Sequence, residues 1–95
     1  MDRQLRILVV DDDRRMTKTL VDILRVKGYD PEPAHSGEEA LEKIRGSQFD
    51  CLLTDIRMPG MDGVDLFQAI GEIQPQLPVV LMTAYTSGQI GRAHV

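Results

Sequence analysis

Four short apolar runs, separated by segments with helical spacing, constrain the fold of this 95-residue chain more than any other feature. The runs are residues 5–10, 29–34, 49–54 and 79–82. The first and third are almost continuously apolar instead of alternating, which is typical of strands that are covered on both faces. The second contains Pro31 and Pro33, which predict a strand at the edge of a sheet, where proline removes no ladder hydrogen bond.

Three helices are predicted between these runs, over about 13–27, 36–46 and 62–73. Ser36 and Glu39 form a capping-box pattern at the start of the second helix, and Gly28 predicts the end of the first. The expected buried stripe of the first helix is Met16, Leu20, Ile23 and Leu24, and that of the third is Leu66, Ile70 and Ile73. Strands that alternate with single helices predict right-handed crossovers and a doubly wound parallel sheet.

Composition excludes several classes of function. The net charge is -4, so we expect no basic surface for nucleic acid. No apolar run is long enough to span a bilayer. The single cysteine, Cys51, excludes an internal disulfide and favours a reducing, cytoplasmic location.

Acidic side chains follow two of the predicted strands. Asp11, Asp12 and Asp13 come after the first strand, and Asp55 comes after the third. Ligands of open parallel sheets bind at the carboxyl ends of the strands, so these residues are expected to converge if the two strands are neighbours. Clustered carboxylates suit Mg²⁺, and a carboxylate such as Asp55 can act as a nucleophile towards phosphorus. Asp13 is expected instead to cap the first helix.

Four stretches, in order and spacing, resemble the receiver domain of two-component response regulators. They read ILVVDDD at 7–13, GEEAL at 37–41, LTDIRMPGMDG at 53–63 and PVVLMTA at 78–84. The resemblance implies a flavodoxin-like α/β fold with strand order 2-1-3-4-5 in a complete member, of which this chain would form 2-1-3-4. The fifth strand and the last two helices of the family have no counterpart in the sequence.

The resemblance also implies a role for each residue of the acidic site. Asp55 would accept the phosphoryl group, and the hydroxyl of Thr83 would contact it. Mg²⁺ would be held by the carboxylates of Asp11, Asp12 and Asp55 together with the backbone carbonyl of Arg57. The donor would be a phosphohistidine on a sensor histidine kinase. The signal would pass to an output domain outside this chain, and the full-length protein could form a homodimer.

The last seven residues differ in character from the rest of the chain. Residues 90–95 match the in-frame translation expected from a common short-read sequencing adapter, and Gln89 fits the same frame. We therefore expect a partial receiver domain over 1–88 and a non-native tail over 89–95. The alternative is an ordinary tail encoded in the genome.

Two other classes of function stay open at this point. Asp11 and Asp13 after an apolar strand also suit a phosphatase of the haloacid-dehalogenase type, in which Asp11 would be the nucleophile. The third class is a receiver-like interaction domain that is never phosphorylated. The intact set of Asp11, Asp12, Asp55 and Thr83 argues against it, whereas the absence of the family's fifth-strand lysine argues for it.

Overall fold

A computed structural model describes residues 4–82 of the chain as three helices packed on a four-stranded sheet. In chain order the elements are β1 (Arg6–Val10), α1 (Arg14–Val26), β2 (Asp30–Ala34), α2 (Gly37–Gly46), β3 (Cys51–Asp55), α3 (Gly63–Ile73) and β4 (Val79–Met82). All the strand pairs are parallel, and the strand order is β2-β1-β3-β4. The predicted flavodoxin-like order 2-1-3-4 is therefore confirmed over these strands.

The apolar character of β1 explains its central place in the sheet. Leu8 and Val10 belong to the core cluster shared with α2 and α3, while Ile7 and Val9 pack with Val21 of α1 on the opposite face. A strand buried on both sides has no polar face to present, which is why the sequence shows no alternation. β2 lies at the edge, as its two prolines predict.

Each helix begins at a side-chain cap. The carboxylate of Asp13 accepts hydrogen bonds from the first turn of α1, and the Ser36 hydroxyl accepts one from the backbone N–H of Glu39. Asp62 and Asp65 form a full capping box at α3. Asp13 is thus an N-cap, as predicted. The Ser36 motif differs in one detail, because the Glu39 carboxylate accepts from the N–H of His35 and not of Ser36.

The predicted buried stripe of α1 is confirmed in part, because Leu20 and Leu24 pack against the core cluster on that face of the sheet. Thr17 and Val21 are buried, whereas Met16 is 40% exposed and Ile23 is 46% exposed. Thr17 can lie in the interior because its hydroxyl donates to the carbonyl of Arg14, 3.0 Å away. In α3, Leu66 and Ile70 are buried as predicted, but Ile73 is 40% exposed.

Several predictions concern parts of the chain outside residues 4–82. They include the role of Thr83 and the assignment of 89–95 as a non-native tail. Within the described range, none of the helices has the length and apolar character needed to cross a membrane.

Candidate functional site

Asp11 stands where β1 leaves the sheet. Its backbone N–H donates to the carbonyl of Ala34 at 3.1 Å, which extends the pairing with β2 by one residue. The residue as a whole is 6% exposed, and one carboxylate oxygen, Oδ1, accepts from the N–H of Asp13 at 2.9 Å. Asp11 is therefore a buried carboxylate whose direction is fixed by the turn that leads into α1.

Asp55 is the last residue of β3, the strand next to β1. It is half-buried, and its register partner on β4 is Met82. The N–H of Arg57 lies 3.4 Å from Asp55 Oδ1, and the N–H of Ile56 donates to the carbonyl of Met82. The end of β4 thus pairs with the backbone at Asp55 and Ile56.

Three carboxylates converge at this edge of the sheet. One oxygen each from Asp11, Asp12 and Asp55 lies within 4.8 Å of the others. Oxygen ligands from carboxylates on a compact site suit Mg²⁺, which keeps part of its water shell. The residues therefore fit a small divalent cation, and the predicted convergence of these three aspartates is confirmed.

Burial raises the pKa of the Asp11 carboxyl above its ordinary 3.8, and the neighbouring charges of Asp55, Asp12 and Asp13 add to the rise. The hydrogen bond from the Asp13 N–H opposes it. The metal-free fold consequently holds the ionised form of Asp11 at a cost, which a bound cation would relieve.

We expect Asp11→Asn to stabilise the metal-free protein at pH 7. Because the pKa of Asp11 is raised on folding, its contribution to the stability of the fold is fully present below pH 3.8 and is lost as the pH rises through the folded-state pKa. Asparagine carries no charge at any of these pH values, so the variant avoids that loss at pH 7 and has no advantage in acid. Two carboxylates near 4 Å repel by about 1 kcal/mol in water and about 4 kcal/mol near a protein surface, so a gain of about 1 kcal/mol is expected. Thermal melts in EDTA should show the gain at pH 7 and lose it near pH 3.5. A less stable variant at pH 7 would contradict this electrostatic account.

Two methionines anchor the loop over residues 56–62, most of which is exposed or partly buried. Met58 is buried in the core, and Gly60 takes a φ of +72°, a conformation that favours glycine. A β-carbon on Gly37 of α2 would lie only 2.7 Å from Sδ of Met61. The loop that carries Arg57 is thereby held against the start of α2.

Gly63, the first residue of α3, lies directly against the end of β3. A β-carbon at this position would overlap the carbonyl oxygen of Asp55 and lie 2.8 Å from Cα of Ile56. The Gly63 N–H donates to the carbonyl of Ile56 at 2.8 Å. The sequence placed Gly63 in the resembling motif but gave no sign of this contact with the backbone beneath Asp55.

The structure brings some of the predicted site residues together, and one of them lies outside the part of the chain that it describes. Asp11, Asp12 and Asp55 lie together, and Arg57 lies two residues beyond Asp55 on the exposed loop. Thr83 lies outside the described residues, directly after Met82. The roles assigned to these residues stay predictions.

A parallel sheet in the order β2-β1-β3-β4, with an acidic cluster at the carboxyl ends of its central strands, defines a doubly wound domain with its site at the switch in strand order. The particular family follows from comparison with known proteins. The chain belongs to the response regulator receiver domain family, whose pattern matches residues 7–93.

Curated relatives agree with this assignment. The chain is 46% identical over 84 residues to the transcriptional regulatory protein ZraR of Klebsiella oxytoca, covering 88% of this chain and 19% of ZraR. It is 41% identical over 83 residues to the response regulator MprA of Mycobacterium ulcerans, covering 87% of this chain and 36% of MprA. The chain thus spans about a fifth to a third of these relatives.

Solved structures agree as well. The response regulator TrrA of Thermotoga maritima, crystallised in complex with Mg²⁺-BeF, is 36% identical with a TM-score of 0.83, covering 87% of this chain and 72% of TrrA. The chemotaxis protein CheY4 of Vibrio cholerae is 30% identical with a TM-score of 0.84, covering 90% of this chain and 73% of CheY4.

Proposed function

We propose that this receiver domain accepts a phosphoryl group on Asp55, with Mg²⁺ bound at the acidic cluster, and passes the resulting change to an output domain. The observation that carries the proposal is the convergence of three carboxylate oxygens within 4.8 Å at the ends of β1 and β3. The site is open to a donor, since Asp12 is exposed and Asp55 is half-buried.

The transfer itself needs one nucleophilic oxygen. A carboxylate oxygen of Asp55 attacks the phosphorus of a phosphohistidine on a sensor histidine kinase and forms an acyl phosphate. The phosphorus–nitrogen bond breaks, and its electron pair stays on the departing imidazole, which takes up a proton. The N–H of Arg57 lies near Asp55 Oδ1 and favours one orientation of the carboxylate.

The metal would be held by the carboxylates of Asp11, Asp12 and Asp55 and by the backbone carbonyl of Arg57. When bound, Mg²⁺ neutralises negative charge on the transferring phosphoryl group. The buried position of Asp11 and the rise of its pKa support this role, because a nearby cation favours the ionised form of a buried carboxylate. The Mg²⁺-BeF complex of TrrA is consistent with it.

Thr83 is proposed to hydrogen-bond the phosphoryl group. The support is its place in the chain, since it follows Met82, the register partner of Asp55 on β4. Movement of such a hydroxyl towards the phosphoryl group would carry the signal away from the site.

The wider role is that of the input module of a longer cytoplasmic regulator. The relatives ZraR and MprA are several times longer than the matched region, which supports an output domain outside this chain. A homodimer of the full-length protein is part of the proposal. The net charge of -4 argues that any contact with DNA lies elsewhere.

Incubation of the 95-residue chain with acetyl phosphate tests the proposal. We expect one phosphoryl group per chain in the presence of Mg²⁺, detected by intact mass, and none in EDTA. The adduct should be labile to hydroxylamine, as an acyl phosphate is. Equal labelling with and without Mg²⁺, or labelling of the urea-unfolded chain, would argue against a folded metal-dependent acceptor site.

A further inference from the structure

Thr54 is a fully buried polar residue directly before the acceptor aspartate. Its side chain is 0% exposed, and it points to the same side of β3 as Leu52, which lies in the apolar core under α2 and α3. Its register partner on β1 is Val10. A hydroxyl in such surroundings needs a partner, because an unpaired buried hydroxyl is costly.

The partner of the Thr54 hydroxyl is the backbone of Asp55. The Oγ1 of Thr54 donates to the carbonyl oxygen of Asp55 at 3.0 Å. The next N–H, that of Ile56, is held by the carbonyl of Met82 on β4. Both polar groups of the peptide that joins Asp55 to Ile56 are therefore engaged, one by Thr54 and one by β4.

Gly63 lies against the peptide that joins Asp55 to Ile56. Its lack of a side chain lets the first turn of α3 lie directly against the Asp55 carbonyl. The peptide is thus confined between the Thr54 hydroxyl, the end of β4 and the start of α3. From this peptide the chain turns into the loop that carries Arg57.

We propose that Thr54 is a positioning residue for the acceptor site. Its hydroxyl fixes the peptide plane after Asp55, and so sets the direction of the Asp55 carboxylate and the position of the Arg57 peptide relative to Asp11 and Asp12. The role extends the proposed function above and rests on it. It predicts that loss of the hydroxyl weakens metal binding and phosphoryl transfer more than it weakens the fold.

The test compares Thr54→Val, which replaces the hydroxyl with a methyl group of similar size, with Thr54→Ser, which keeps the hydroxyl. Calorimetric titration with MgCl₂ alone should give a dissociation constant about fivefold higher for the valine variant, matching the loss of one hydrogen bond. Its rate of labelling by acetyl phosphate should fall by a similar factor. Its melting temperature should fall only slightly, because the buried methyl group that replaces the hydroxyl offsets part of the lost hydrogen bond. The serine variant should bind Mg²⁺ and label within about twofold of the native chain, although it melts lower because it loses a buried methyl group.

Thr17→Val is the matched control, because Thr17 is the other buried threonine of the described residues and its hydroxyl donates to a carbonyl of α1. Its affinity for Mg²⁺ should stay within about twofold of the native value. Native Mg²⁺ affinity and labelling in Thr54→Val would overturn the proposal, and so would equal impairment in Thr54→Ser or in Thr17→Val. If the native chain bound Mg²⁺ but was not labelled, the proposed function would fail while the affinities still decided the role of Thr54.

Discussion

Replacing Gly63 with alanine is expected to destabilise the domain by about 3 kcal/mol and to slow phosphorylation at the same time. The new β-carbon would overlap the carbonyl oxygen of Asp55 and crowd Cα of Ile56. Both are backbone atoms, so no side chain can rotate away and α3 must shift from the end of β3. Because the same peptide directly follows the Cα that carries the Asp55 carboxylate, the shift should disturb the acidic cluster as well as the core.

Gly71→Ala provides the matched control for this prediction. Gly71 lies in the same helix, is exposed, and has no atom within 4 Å of the position its β-carbon would take. Alanine in a helix interior is favoured over glycine by about 1 kcal/mol, so this variant should be more stable than the native chain. Urea unfolding followed by circular dichroism measures both changes. A Gly63→Ala variant as stable as the native chain would show that α3 does not rest on the Asp55 backbone.

Asp55→Asn is expected to abolish labelling by acetyl phosphate while leaving the fold intact. The amide has nearly the same shape as the carboxylate but lacks a nucleophilic oxygen that can form an acyl phosphate. It also removes one negative charge from a cluster of three, so the metal-free variant should be at least as stable as the native chain. Intact mass after incubation with Mg²⁺ and acetyl phosphate gives the result directly.

Asp22→Asn serves as the control for the loss of one acidic group. Asp22 is an exposed residue of α1 that pairs with Lys18, far along the helix from the acidic cluster. Exposed ion pairs of this kind contribute less than about 1 kcal/mol, and labelling should be unchanged. Full labelling of Asp55→Asn would place the acceptor elsewhere.

The sheet could be predicted because the composition of each strand indicates how far the strand is buried. The central strand β1 is apolar at consecutive positions since both of its faces are covered, and β2 carries Pro31 and Pro33 because it lies at the edge. The order of the strands needed the resemblance to receiver domains, since apolar runs alone do not say which strands are neighbours.

The face of α1 could not be predicted in the same way. Hydrophobic spacing favoured Met16 and Ile23 for the interior, but both are largely exposed and Thr17 is buried instead. A threonine can take an interior position when its hydroxyl bonds back to the helix, as Thr17 does to the Arg14 carbonyl. Composition counts such a residue as polar. The predicted stripe is therefore right for Leu20 and Leu24, which pack against the core, and wrong for Met16 and Ile23.

Only part of the acidic site could be predicted from the sequence. The convergence of Asp11, Asp12 and Asp55 follows from placing them at the ends of neighbouring parallel strands, which needs only topology. The contacts that Thr54 and Gly63 make with the Asp55 carbonyl depend on the three-dimensional fold and have no signal in the sequence. In the sequence, Thr54 cannot be distinguished from any other strand residue, although its hydroxyl bonds to the Asp55 carbonyl. The fit of Gly63 against that carbonyl depends on where α3 begins.

Chemical mapping of the phosphorylated residue tests the central claim most directly. The chain is labelled with acetyl phosphate and Mg²⁺, the acyl phosphate is reduced with borohydride to convert the modified aspartate into homoserine, and the peptides are sequenced by mass spectrometry. We predict homoserine at position 55 alone, with position 11 unchanged. Homoserine at position 11 would contradict the account and favour the phosphatase-like alternative in which Asp11 is the nucleophile.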